Sequence, residues 1–165
     1  MPENTSSPSF ADLAFVHEGL MELLLAHQEC VALGELNEAR SKLEAFIVSL
    51  KDHISKEDTH LIPIFSQRVE EQVGCTAELL LAEHRKLERL MEKALARIVA
   101  LEKVGSISGR ERVAVIEEEH MLKEVLKHHD ERERAAFFPN LDRVIQGEER
   151  KEILRDIGLL HNATN

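Results

Sequence analysis

The sequence predicts an all-α chain, and three observations carry that expectation. Apolar residues recur at three- and four-residue steps along nearly the whole length, the period of a helix face rather than of a strand. Leu, Ala, Glu, Lys and Arg dominate, while only seven Gly and four Pro punctuate 165 residues. The breaks that matter fall at Gly34, Pro63, Gly74, the VGSISG segment and Pro139, and the intervals between them suit long helices. At 43% hydrophobic, a chain of this length fills one domain with a core. A formal charge of −10 argues against nucleic acid and against an anionic membrane surface, because both need a basic patch. The sequence contains no run of 18 apolar residues, and MPENTSSPS lacks the basic-then-apolar order of a signal peptide, so the expected location is cytoplasmic. Cys30 and Cys75 form no CxxC and read as reduced, partly buried small side chains.

After a polar start, Ser9 and Asp12 make a capping-box pattern that opens a first helix running from about residue 9 to Gly34. Its seam is Phe10, Leu13, His17, Leu20, Leu24, His27 and Val31. A second helix extends to about His60 with the seam Leu36, Ala39, Leu43, Phe46, Leu50, His53 and Glu57, and Pro63, which lacks an N–H, limits its continuation. Thr76 can cap a third helix, whose seam from Ala77 through Leu80, His84, Leu87, Met91, Ala94 and Ile98 reaches Leu101 before VGSISG. Ser108 and Glu111 make a second capping-box pattern. The fourth helix carries Val115, Glu119, Leu122, Leu126, His129, Glu133 and Ala136 on one face and ends at Pro139. One or two short helices fit the stretch from Asn140 to Leu160, after which HNATN is expected to fray. Short links at Gly34 and Gly105 predict an antiparallel up-down-up-down four-helix bundle, since they force sequential helices side by side.

In such a bundle the polar seam residues share a level. His17 stands 17 residues before Gly34 and His53 19 after it; His84 stands 21 before Gly105 and His129 24 after it, part of which is loop. At about 1.5 Å per residue, the four histidines lie within a turn or two of one height, facing the axis. The two halves also repeat. FVHEGLMELL matches AEHRKLERLM, and DHISKEDTHLIP matches HDERERAAFFP, so that His53, Glu57 and Pro63 correspond to His129, Glu133 and Pro139. The steps of four and of ten are the same in both halves. Buried imidazoles and carboxylates cost about several kcal/mol when uncompensated, so a positive charge belongs among them. Neutral imidazole and carboxylate suit iron, manganese or zinc, and the seams offer no thiolate for a softer site.

His17, then His53-x-x-x-Glu57, then His84, then His129-x-x-x-Glu133, with LIP and FFP after the paired motifs, resembles the hemerythrin-like, HHE cation-binding domain family. The resemblance covers about residues 10 to 139 and leaves 140–165 as a C-terminal extension of a single domain 1–165. It implies a non-haem, oxo- or hydroxo-bridged di-iron centre, with His17 and His53 on one iron, His84 and His129 on the other, and Glu57 and Glu133 as bridges. It further implies an open coordination position for O2, NO or peroxide. Oxygen-carrying members have a fifth histidine on the third helix, whereas Leu80 and Glu88 stand four residues either side of His84. That departure points away from simple O2 carriage and toward the sensing, storage, detoxifying or cluster-repairing branch, although the chain shows no extra N-terminal cysteine domain of the repair type. A redox or repair enzyme and a metal-gated interaction bundle are the alternative functions.

Other polar residues read more plainly. His60, one heptad beyond His53, has Ala136 as its counterpart and reads as a partly exposed residue rather than a seventh ligand. Glu88 reads as a solvated flank position, and His128 yields to His129 on both spacings. His27 and Glu119, each ten residues from its own helix's ligand histidine, suggest a buried hydrogen bond at the far end of the bundle. His120 and His161 read as surface residues.

Overall fold

The computed structural model describes residues 8–70 and 72–160; the expectations for HNATN and His161 lie outside the described residues. It is all-helical, and its first element opens as the sequence predicts. The Ser9 hydroxyl accepts from a backbone N–H of the first turn while the Asp12 carboxylate accepts from the Ser9 N–H, capping a 3-10 turn over Phe10–Leu13. The chain continues as α1 (Ala14–Leu33), α2 (Leu36–Lys56), α3 (Ile62–Arg68), α4 (Ala77–Val104), α5 (Gly109–Glu118), α6 (His120–Arg132), α7 (Phe138–Val144) and α8 (Gly147–Asp156). Gly34 ends α1 at φ 81°, a left-handed conformation that favours glycine, while a Cβ there would meet only the flexible Arg112 guanidinium, 2.6 Å away. Thr76 caps α4 and Ser108 with Glu111 caps α5, both as expected.

Two expectations about helix ends are corrected. Helix formation does not stop near His60 or at Pro139. Five-residue π-helical turns, Glu57–Leu61 and Glu133–Phe137, instead join α2 to α3 and α6 to α7. The N–H groups of Ile62 and Phe138 reach back five residues to the carbonyls of Glu57 and Glu133. Pro63 and Pro139 then fall in the first turn of the next helix, where a missing N–H costs least. The extra residue in each turn also rotates the end of that turn about the helix axis. Leu61 and Phe137 take the fully buried places, and His60 and Ala136 are left half-buried. The predicted fourth helix is interrupted as well, at Glu119, which separates α5 from α6.

α1 packs on α2, α2 on α4, α4 on α6, and α1 in turn on α5 and α6. The larger apolar cluster holds Leu20, Leu24, Leu43, Phe46, Leu50, Leu87, Met91, Ile98, Val115 and Leu126. A second cluster, with Phe10, Leu13, Leu61, Phe65, Leu80, Phe137, Phe138 and Leu141, closes the opposite end with help from α7 and α8. Between them each long helix inserts polar residues: Leu13–His17–Leu20, Leu50–His53–Glu57–Leu61, Leu80–His84–Leu87 and Leu126–His129–Glu133–Phe137. No helix among the described residues is long and apolar enough to cross a membrane.

Leu43 is fully buried in the larger cluster, away from the polar layer. Leu43→Ala is therefore expected to lower the unfolding free energy by about 2–5 kcal/mol, read as a lower urea midpoint at an unchanged slope.

Candidate metal centre

All six residues singled out by the repeat meet in the layer between the two apolar clusters. His17, His53, His84, His129, Glu57 and Glu133 are each no more than 3% exposed. They arrive on α1, α4, the last turns of α2 and α6, and the first residues of the two π turns. The π turns begin at the carboxylates themselves, one turn after His53 and His129, so imidazole and carboxylate project from the same side.

The geometry divides into two histidine pairs joined by two carboxylates. His17 Nε2 lies 2.7 Å from His53 Nε2, and His84 Nε2 lies 3.2 Å from His129 Nε2. Glu57 sets Oε1 3.2 Å from His53 Nε2 and Oε2 3.3 Å from His84 Nε2. Glu133 sets Oε2 3.1 Å from His17 Nε2 and Oε1 3.0 Å from His129 Nε2. Each carboxylate thus spans the gap between the pairs. Two overlapping groups of candidate ligands result, His17, His53, His129 and Glu133, and Glu57, His84, His129 and Glu133, each of which could hold a metal ion. His129 and Glu133 belong to both groups.

The outward faces of three rings explain which nitrogen turns inward. Asp130 lies 2.6 Å from His17 Nδ1, Asp58 2.6 Å from His84 Nδ1, and Glu83 3.1 Å from His129 Nδ1. A carboxylate accepts there, so Nδ1 carries the hydrogen and the Nε2 lone pair of the neutral ring points into the layer. The carboxylate oxygens of Glu57 and Glu133 are buried and take part in no hydrogen bond despite their short approaches to Nε2. Where Asp130, Asp58 and Glu83 hold a neutral ring in that orientation, lone pair faces lone pair across the gap to Glu57 or Glu133. Such an arrangement satisfies itself only around a cation, and its nitrogen and oxygen donors, with no thiolate in either group, fit the borderline metals expected from the sequence.

Without a metal the electrostatics are uneven. Burial pulls His53 down to about 4 against the pull of Glu57, and burial likewise lowers His17 against Glu57 and Asp130. Burial also works to lower His84, but the hydrogen bond to Asp58 and the nearby Glu57 carboxylate outweigh it and raise the ring to about 9. For His129 burial is outweighed by the close Glu133 carboxylate and by the hydrogen bond to Glu83, raising it to about 10. The surrounding carboxylates thus favour the protonated, positively charged form of His84 and His129 when no metal is bound.

Asp58, Glu83 and Asp130 are site residues that sequence reasoning missed. Each sits next to a candidate ligand in the chain, beside Glu57, His84 and His129 respectively, and each bonds to a candidate ligand ring of a neighbouring helix. One residue along a helix is a rotation of about 100°, enough to turn a side chain from the axis toward the adjacent helix. A carboxylate flanking a ligand was the available signal. His60 is half-buried, as expected; Glu88, expected to be solvated, is half-buried too; neither belongs to a candidate ligand group, and His128 is 60% exposed beside Glu124 and Glu131. His27 Nε2 does meet Glu119 Oε1, at 2.8 Å, with His27 Nδ1 donating to the Ala39 carbonyl and Gln28 donating to the other Glu119 oxygen. Comparison with known protein families, with curated proteins and with solved structures finds no match to this chain.

The metal-free protein should be most stable near pH 6.5. Raised folded-state values for His84 and His129 contribute stability that is complete below the unfolded value of about 6.5 and is lost as pH rises through about 9 and about 10. The depressed value of His53 acts oppositely, its contribution disappearing as pH falls from about 6.5 toward about 4. Urea midpoints of chelator-treated protein from pH 4 to pH 10 are expected to peak between these limits; a midpoint that keeps rising to pH 10 contradicts the assignment.

Proposed function

We propose that the chain is a hemerythrin-like protein, an antiparallel four-helix bundle that holds two iron ions between its helices and binds or reacts with a small ligand such as O2, NO or peroxide for sensing, storage or detoxification. The observation that carries this reading is the pair of buried carboxylates, Glu57 and Glu133, each reaching one histidine of either pair while making no hydrogen bond of its own. The cyclic packing of α1, α2, α4 and α6 with α5 is consistent with the bundle. His17, His53, His84 and His129 would supply terminal nitrogen donors, and Glu57 and Glu133 would span the two ions. Two iron ions held there would supply redox chemistry and an open coordination position.

The residues of the chain perform the supporting work. Asp130, Asp58 and Glu83 fix the tautomer and rotation of His17, His84 and His129. Leu20, Leu24, Leu50 and Leu87 on one side, with Leu61, Leu80, Phe137 and Phe138 on the other, keep bulk water from the layer. Nitrogen-rich coordination by four imidazoles without a fifth on α4, where Leu80 is buried and Glu88 half-buried, supports reaction or sensing over reversible carriage.

Iron-loaded protein in air is expected to show near-ultraviolet charge-transfer absorption that shifts on addition of azide. Two bound ions whose spectrum azide leaves unchanged would contradict an open position, and thereby the proposed activity.

A further inference from the structure

A cleft of about 190 Å³ opens from the surface between α1 and α6 and reaches His17. His17, only 3% exposed, forms its floor; half-buried Met21 and the buried Leu126 form its walls; Glu18, Lys127 and Asp130 stand at its rim. The polar layer is closed along the helix axis in both directions. Leu24, Leu50 and Leu87 are fully buried on one side, and Leu61, Phe137 and Phe138 on the other, with the Phe138 ring stacked 6.3 Å from that of His17. One border of the cleft is tied shut: Arg134 donates to Asp130 at 2.7 Å, to the Ala14 carbonyl at 2.8 Å and to Glu18 at 3.3 Å, bridging α1 to the π turn after α6. The opening toward Met21 carries no such strap.

Resting on the di-iron reading, we propose that this cleft is the entry route to the centre, that it admits a small uncharged diatomic molecule, and that Met21 is its movable wall. The volume is ample for a diatomic, since one water occupies about 30 Å³ of liquid. Its inner walls are thioether and aliphatic, which favour a weakly hydrated molecule over an ion that must shed water to enter. At the rim, Glu18 and Asp130 are offset by Lys127 and Arg134, so local charge draws in neither sign, while the overall charge of −10 disfavours anions at long range. Met21 lies one turn beyond His17 on α1, half-buried at the edge of the larger apolar cluster, and its unbranched thioether chain has several rotamers open to it.

Met21→Trp narrows the passage and Met21→Ala widens it, and neither replaces one of the six residues of the centre. Two measurements test the route: xenon binding to the metal-free protein, located by crystallography under pressure, and the association rate of nitric oxide with the ferrous-loaded protein by stopped flow. Xenon is expected in the cleft of the parent and absent from Met21→Trp. Met21→Trp is expected to slow association by roughly tenfold and Met21→Ala to speed it, with metal content equal in all three. Equal association rates in the loaded proteins, or a parent cleft without xenon, overturn the route and leave the metal reading standing. A parent that takes up no iron overturns both.

Discussion

Four imidazole nitrogens and four carboxylate oxygens face one another across 2.7–3.3 Å in a buried layer closed by apolar side chains along the helix axis, and the rest of the chain is arranged around that contact. Left alone it is unfavourable, because electron-rich atoms are packed where burial leaves little solvent to relieve them. Proteins tolerate such an arrangement when something positive is shared among its members. Here the proton can do so in part, through His84 and His129, whose values are raised, while His17 and His53 are held toward the neutral form. A metal pair would satisfy both halves at once, which is why the unevenness supports the metal reading.

The secondary structure bends to serve this layer. Each π turn starts at a bridging-type carboxylate and leads to a proline placed in the first turn of the next helix. The inserted residue brings Leu61 and Phe137 under the carboxylates, so that the apolar floor is immediately beneath the polar layer. The irregularity is thus duplicated together with the ligands, and the ten-residue step from histidine to proline is its trace in the sequence. A third irregularity, at Glu119, has a different partner: it positions a carboxylate for His27 and Gln28 at the opposite end of α1.

Much of this was legible in the sequence. The six central residues could be chosen because a repeat constrains them twice: His129 is preferred to His128 on its distances to Glu133 and Pro139. Capping at Ser9, Thr76 and Ser108 is a matter of local chemistry, and all three caps form. The failures have physical causes. Reading proline as a stop assumes an α-helical hydrogen-bond pattern, whereas a π turn shifts the register so that Pro63 and Pro139 fall where their missing N–H is harmless. Asp58, Glu83 and Asp130 escaped because a seam contains only axis-facing positions, and a carboxylate rotated toward a neighbouring helix looks like any solvated charge until that neighbour's ring is known. The asymmetry between His53 and the other three histidines is likewise a tertiary property: the repeat makes His53 and His129 equivalent, but their surroundings do not.

Elemental analysis of the protein purified anaerobically and in air, with Glu57→Ala and His17→Ala beside it, tests the central claim most directly. Two iron ions per chain are expected in the parent, with Glu57→Ala lowering the occupancy of both positions and His17→Ala chiefly one. A parent free of metal, with its histidines open to chemical modification, would contradict the account.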